Sequence, residues 1–366
     1  MPGTSSPAAV GGAAPGVAME GPLRVEPVES LESVAGEWDR LAARADNVFA
    51  TREWAASWAR HFAPRDPSRV AVVRRPDARA VAILPLYLSH RRPLRVVRFL
   101  GHGLADELGP VCAPTDRRAV AVALAAHLAR LDCDLLLADE LPVDRAWSAL
   151  GGRPVARRAG PLVRLEAASW EELTAGWSRN LRHQIAKRER RLARTFRVVH
   201  RVVDDAARLD ADLDTFRALH EARWRGSRAL AGRWAFHRDF AARALRRGWL
   251  RLRILELDGR PAAALYNLRF AGAEVSYQAG RDPALDRWSV GLLLHARAMR
   301  AALAEGALEY RFLRGGEPYK RRFADSERPV ETVVVCRGPA GRAGAALVQA
   351  GEVVPRPTRR RLLRTP

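Results

Sequence analysis

The sequence predicts an α/β chain of the α+β kind, with two tandem units that are each a mixed, mostly antiparallel sheet flanked by helices. Three observations lead there. The order strand, two helices, three antiparallel strands, helix, strand is read twice, once within residues 22–165 and once within 196–338. A length of 366 residues leaves room for two domains with ordinary cores. A hydrophobic content of 48% with mean hydropathy −0.22 describes a folded globular chain rather than a disordered one.

In chain order, residues 1–21 are rich in Gly, Ala, Pro and Ser and read as a flexible leader. They have neither a basic start nor a proper apolar core, so no secretory signal is expected, and Met19 is an alternative start. A short strand at 23–26 precedes two amphipathic helices, marked by Leu31, Val34, Trp38 and Leu41 and then by Trp54, Trp58 and Phe62. Strands follow at 70–74, 81–88 and 96–100, then a helix over 116–131, a strand at 133–138, a short helix near 144–150 and a strand at 162–165. Residues 166–195 link the halves and contain a basic helix over 178–194 with a thin apolar stripe of Leu181, Ile185 and Leu192. The second half repeats the plan. It has a strand at 196–203, a helix striped by Leu209, Leu213, Phe216, His220 and Trp224, and a helix around Phe240 stopped by Gly248. A hairpin turns through Asp258-Gly259, followed by a strand at 273–278, a helix over 289–305 and strands at 308–313 and 330–336. Residues 339–366 read as a basic, flexible tail, either simply solvated or an arm for an acidic or peripheral-membrane partner.

The net charge of +21 is local. Residues 178–201 carry nine basic side chains against Glu189, and 337–366 carry seven arginines against Glu352, so 8 + 6 = 14 of the 21 charges sit in two segments. Of 62 basic residues only Lys187 and Lys320 are lysine, which makes each lysine an unusual choice. Cys112, Cys133 and Cys336 lie far apart and the histidines show no ligand spacing, so reduced thiols, no metal and a cytoplasmic setting are expected. No run approaches the ~18 apolar residues of a membrane span.

Chemistry concentrates between Tyr277 and Phe323. Ser289 is placed to cap the helix over 289–305, and Gly291 sits in its first turn. A helix N-terminus behind a strand and a loop is an anion cradle, since free N–H groups and the positive end of the dipole converge there. A single first-turn glycine is equally suited to close packing. Past the helix, the strand ends on Gly315-Gly316 and continues as Glu317-Pro-Tyr-Lys-Arg-Arg-Phe323.

These pieces resemble the CelD/BcsL-type acetyltransferase family of the GNAT (N-acetyltransferase) superfamily, distantly similar to the Fem peptidyltransferases. The resemblance covers about residues 30–336. It rests on Phe49-Ala-Thr-Arg-Glu-Trp54, Ile83-Leu-Pro-Leu86, Leu100-Gly-His-Gly, Asn180-Leu-Arg-His, Leu257-Asp-Gly-Arg-Pro-Ala-Ala263, Ser289-Val-Gly-Leu-Leu293 and Phe312-Leu-Arg-Gly-Gly-Glu-Pro-Tyr-Lys-Arg-Arg-Phe323. It implies tandem GNAT-like acyltransferase domains, the first degenerate (22–165) and the second catalytic (196–338). It further implies a co-substrate, acetyl-CoA or another acyl-CoA, held where the third strand of the second half splays from the next. Pantetheine would pair with Gln278, Ala279 and Gly280, and pyrophosphate would lie on Ser289, Val290, Gly291 and Leu292. The chain departs from the usual Gln/Arg-x-x-Gly-x-Gly/Ala loop, keeping only Gly291, so an aminoacyl donor stays open. Pro110 to Asp116 offers no such loop in the first half.

Acyl transfer asks for a proton acceptor, N–H donors for the tetrahedral oxygen and an acid for the leaving thiolate. Tyr319 is the candidate acid, or else a ring packed under the loop. Lys320 resembles the lysine of the Fem-type Phe-Lys pair and is read at the reacting centre, with Glu317 as a proton relay. His220, Trp224, Arg281, Asp282 and Arg314 are candidates for acceptor contact, with core packing the expected role of Trp224. The expected function is direct transfer of an acetyl or acyl group to an amine or hydroxyl of a small-molecule, glycan or envelope-precursor acceptor. The alternatives are an aminoacyl-tRNA-dependent Fem-type transferase and a non-catalytic accessory protein. Nucleic acid is expected as a partner only in the tRNA case.

Overall fold

The computed structural model describes residues 21–62, 68–91, 94–224, 230 and 232–353; residues 1–20 of the expected leader and residues 354–366 of the expected tail lie outside them. The N-terminal half runs β1 (Arg24–Pro27), α1 (Ala35–Ala45), α2 (Arg52–Phe62), β2 (Ala71–Arg74), β3 (Ala80–Leu84), β4 (Leu86–Arg91), β5 (Leu94–Phe99), β6 (Val111–Cys112), α3 (Arg117–Arg130), β7 (Leu135–Pro142), β8 (Arg153–Arg158) and β9 (Pro161–Arg164). Then come α4 (Trp170–Ala175), α5 (Arg179–Thr195), β10 (Val198–Val202), α6 (Leu209–Arg223), α7 (Trp234–Arg246), β11 (Leu250–Leu257), β12 (Arg260–Phe270) and β13 (Ala273–Arg281). The chain closes with α8 (Val290–Ala304), β14 (Glu309–Arg311), α9 (Pro318–Arg321), β15 (Ser326–Glu327), β16 (Val330–Cys336) and α10 (Gly338–Val353).

Among the described residues the strands form three sheets, ordered β1-β2-β3-β6, β4-β5-β7-β16-β8 and β10-β11-β12-β13-β14-β9-β15. Pro85 separates β3 from β4; with no N–H to donate, it interrupts the ladder and lets consecutive strands enter different sheets. The Asp258-Gly259 hairpin forms as expected, with both residues at positive φ (51° and 77°), the twist that suits a two-residue turn. Among the described residues each half contains one parallel pair, β5 with β7 and β13 with β14, so the repeated order is a repeated architecture. The halves also exchange strands. β9 pairs with β14 and β15 in the C-terminal sheet, while β16 inserts between β7 and β8.

A shared core joins the halves. Trp54, fully buried, meets Phe236, Phe240 and Tyr277 with ring centres 4.9, 4.7 and 5.6 Å away. Gly101 packs so tightly on it that a Cβ would lie 2.7 Å from the indole nitrogen, and its φ of +103° suits only glycine, which accounts for the Leu100-Gly-His-Gly stretch. Ion pairs reinforce the seam. Arg314 binds Asp106 (2.6 Å) and Glu140 (2.5 Å), and Arg328 binds Glu107 (2.7 Å). Burial pushes the Asp106 carboxyl up to about 6, against the pull of Arg314. A carboxyl that holds its proton more tightly folded than unfolded stabilises the fold most at low pH, and the contribution is lost as pH rises from about 4 to about 6. The thermal midpoint of the wild type should therefore fall relative to that of Asp106→Asn over this interval; a constant difference would contradict the assignment.

Two expectations are corrected. Residues 338–353 are not a free tail but α10, whose glycines permit close helix–strand contact. A Cβ on Gly341 would meet the Asp134 carbonyl oxygen at 2.1 Å, and one on Gly344 would meet Leu135 and Leu94 at 2.7 and 2.8 Å. Trp224 is not core. It stands one residue past α6, is 44% exposed, and has the Arg223 guanidinium 4.7 Å from its ring centre.

Candidate active site in the C-terminal half

The site begins with unequal strands. β13 pairs with β12 along its length to Arg281 but with β14 only over Ala273–Val275, because β14 is three residues long. From Ser276 onward one edge of β13 is unpaired and the sheet opens as a V. A buried polar network pins its closed end. Glu274, wholly buried, takes two bonds from Arg253 (3.1 and 2.8 Å) and one from Asn267 (2.7 Å). Asn267 also reaches the Tyr310 hydroxyl (3.2 Å), which meets Nδ1 of His295 at 3.1 Å.

The N-terminus of α8 faces the open end. Ser289 does not act as the expected side-chain cap. It ends the 3₁₀ turn Pro283–Trp288 and starts α8 in one residue, which forces a left-handed backbone (φ 56°, ψ 37°) from which its hydroxyl caps nothing. The first N–H of α8 with a carbonyl partner is Leu293, bonded to Ser289 O, so the amides of residues 290–292 have no such partner among the described residues. A cavity of about 380 Å³ fills the V. Its wall is built from Ala263–Leu265 of β12, the end of β13, the first turns of α8, and Tyr319, with Arg188, Arg223, Arg281 and Arg322 around it.

Of the residues expected from sequence, the structure brings Ala279, Gly280, Arg281, Ser289, Gly291, Leu292 and Tyr319 to this cavity. Gly280 is a glycine for α6, since a Cβ there would lie 2.5 Å from the His220 nitrogen. Arg281 is paired with Asp286 at 2.6 and 3.0 Å. The remaining expected residues do not line it. Val290 is wholly buried in the core under α8. Gln278 bonds to His220, itself a buried residue of α6. Asp282 caps the following 3₁₀ turn through Ala284 N (2.9 Å), and Arg314 is held at the seam. Lys320, read from sequence as facing the reacting centre, turns its ammonium back into its own loop, donating to Arg314 O (2.8 Å) and Glu317 (2.9 Å). That bond holds the Glu317 carboxyl below its usual range despite burial, so Glu317 stays ionised and engaged.

Sequence reading missed two residues that flank Tyr319. His295 lies a turn and a half into α8, buried, with its ring 5.5 Å from that of Tyr319; burial, Arg223 and Lys320 push it down to about 3, so it is neutral. Arg223, the last residue of α6, bonds to the Tyr319 side chain and approaches the Ala279 carbonyl at 3.4 Å. Neither had a sequence signal, since a histidine on an apolar helix and an arginine at a helix end are ordinary there.

The corresponding splay in the first half is closed. Past the parallel pairing at Val97–Leu136, Arg98 and Asp139 form an ion pair across it (2.6 Å), and Leu108 N bonds to Glu140 O (2.8 Å).

A doubled sheet-and-helix unit with one open V defines a tandem GNAT-like fold. Residues 179–321, the stretch that builds the open V, match the family model described as an acetyltransferase (GNAT) domain. No curated protein matches the chain. Among solved structures it is similar to FemX, with TM-score 0.64 and 11% identity, covering 89% of this chain and 100% of that one. It is also similar to the C-terminal domain of a putative lysylphosphatidylglycerol synthetase from Agrobacterium fabrum, with TM-score 0.57, 15% identity and coverage of 88% and 96%. A third likeness is to L-PGS from Bacillus licheniformis, with TM-score 0.51, 12% identity and coverage of 89% and 97%. At such identities the likeness is one of fold.

Proposed function

We propose that the chain is an acyl-CoA-dependent N- or O-acyltransferase of CelD/BcsL type. It transfers an acetyl or other acyl group directly to an amine or hydroxyl of a glycan or envelope-precursor acceptor. The supporting observation is the V-shaped cavity with the uncapped start of α8 at one end and Arg188, Arg281 and Arg322 beside it.

These residues fit such a donor. The amides of 291 and 292 and the arginines suit a pyrophosphate. The unpaired edge of β13 at Ala279 and Gly280 suits an amide-bearing arm, because antiparallel pairing with β12 uses alternate residues and leaves backbone groups on the other edge. When bound, the acyl-CoA supplies an activated thioester. Tyr319 keeps its proton at neutral pH because burial pushes its phenol up, while the Arg223 guanidinium at its oxygen favours giving that proton up. Neutral His295 packs beside it, its ring tilted by 32° to the phenol. Lys320 and Glu317 act as positioning residues that hold the loop from Arg314 to Tyr319.

Titration calorimetry with acetyl-CoA, longer acyl-CoAs and free CoA tests the reading. Binding of the thioesters supports it; a protein that ignores all of them and binds aminoacyl-tRNA would sink it. Tyr319→Phe should leave CoA affinity within a few-fold and lower kcat by about 10²-fold, the lower end of general-acid contributions. An unchanged kcat would remove Tyr319 from the chemistry.

A further inference from the structure

A second cavity of about 350 Å³ lies between α5, β10 and a different flank of α8. Its α8 wall is Leu293, Arg297 and Arg300, a stripe at helical spacing, whereas Gly291, Leu292 and His295 face the transfer cavity. α5 separates the two, lining the transfer cavity with Arg188 and this one with Arg190. A smaller cavity of about 200 Å³ adjoins it and shares His200 and Arg297.

The charges here are arranged unlike those around them. Nearby arginines are engaged: Arg201 with Asp212 and Glu256 (2.6 and 2.8 Å), and Arg253 with Glu274 (2.8 Å). Arg190, Arg297 and Arg300 have no carboxylate within ion-pair distance among the described residues. Exposed arginines commonly need none. What sets these apart is that they surround a cavity lined by His200, whose buried Nδ1 has no hydrogen-bond partner among the described residues. Burial and Arg297 push His200 down to about 4, so at neutral pH it is an uncharged donor or acceptor. Leu192, Val198 and Leu293 supply an apolar floor.

We propose that this groove is a binding site for a small phosphate monoester, separate from the transfer cavity. Three arginines against Glu189 give 3 − 1 = +2, which matches the charge of about −1.5 to −2 on a phosphate monoester at pH 7 and exceeds that of a carboxylate. Guanidinium groups bind such oxygens in pairs. The volume is at the lower end of the ~300–1,000 Å³ usual for small-molecule sites, so the fit is to a metabolite, with His200 left to read its uncharged part.

The test uses the full chain, with inorganic phosphate and AMP as probes and ³¹P line broadening as the readout. Both probes should bind the wild type, and the Arg297→Ala/Arg300→Ala variant, altered at two exposed positions, should bind at least tenfold more weakly. His200→Phe should weaken AMP more than inorganic phosphate. Saturating CoA, and separately Gly291→Glu, should leave binding unchanged. Displacement of AMP by CoA would mean that the donor's own nucleotide phosphate occupies the groove and would overturn a separate site. So would affinity undiminished in the double arginine variant, or no binding of either probe. The phosphate and arginine-variant outcomes do not depend on whether the transfer reaction is the one proposed.

Discussion

Gly291→Glu is expected to lower affinity for CoA and its thioesters at least 100-fold, equivalent to about 2.7 kcal/mol, while the protein stays folded. Both halves of that expectation come from geometry. A Cβ at Gly291 would meet only Arg281 Cδ at 3.6 Å, an ordinary contact, so there is room for a side chain. A carboxylate in the first turn of α8 also favours the helix through its dipole. The same carboxylate would occupy the anion position and neutralise the guanidinium groups of Arg188 and Arg281 that line it. Gly291→Ala adds bulk without charge and should stay within a few-fold of wild type. Calorimetry on the two variants separates charge from size. Tight CoA binding by the glutamate variant would show that the donor lies elsewhere.

Glu274→Ala is expected to destabilise the protein by about 3–5 kcal/mol, because it leaves a buried arginine without its partner. Arg253 would keep only Glu305, 3.8 Å away and 39% exposed, which points to the lower end of that range. The consequence is also functional. Glu274 sits in the parallel register opposite Tyr310, so its network holds β13 and β14 together at the closed end of the V and braces His295 beside Tyr319. Urea unfolding should show the loss of stability. At temperatures where the variant remains folded, CoA affinity should fall as well, since the angle of the V is no longer held. Stability within 1 kcal/mol of wild type would show that the network is not what fixes the apex.

Much of the fold was legible because its signals are local. The apolar stripe of Leu181, Ile185 and Leu192 gave α5, and the buried residues of that helix are these three. The Asp258-Gly259 pair gave the hairpin. The glycines of α10 misled, because glycine that relieves a close approach has the same letter as glycine in a mobile segment. At the site, residues contiguous with a motif were found and those brought from elsewhere were not. Gly291 and Tyr319 belong to recognisable stretches, whereas Arg223 and His295 reach Tyr319 only through packing of α6 and α8 on opposite faces of one sheet. Lys320 stood out as a rare lysine, yet the first-turn geometry of α9 points its ammonium at its own loop.

Most of the order of strands and helices, the doubling of the unit and the stretch that surrounds the V were therefore written in the sequence itself, through apolar periodicity and turn residues acting over a few positions; the split of the strand expected at 81–88 into β3 and β4, and the strands β6, β8 and β15, were not. Which strand edge stays open, which halves trade β9 and β16, and which arginines face a cavity rather than a carboxylate were decided only in three dimensions. Those outcomes depend on pairings between residues more than a hundred positions apart, such as Arg314 with Glu140. No local pattern encodes a partner that distant.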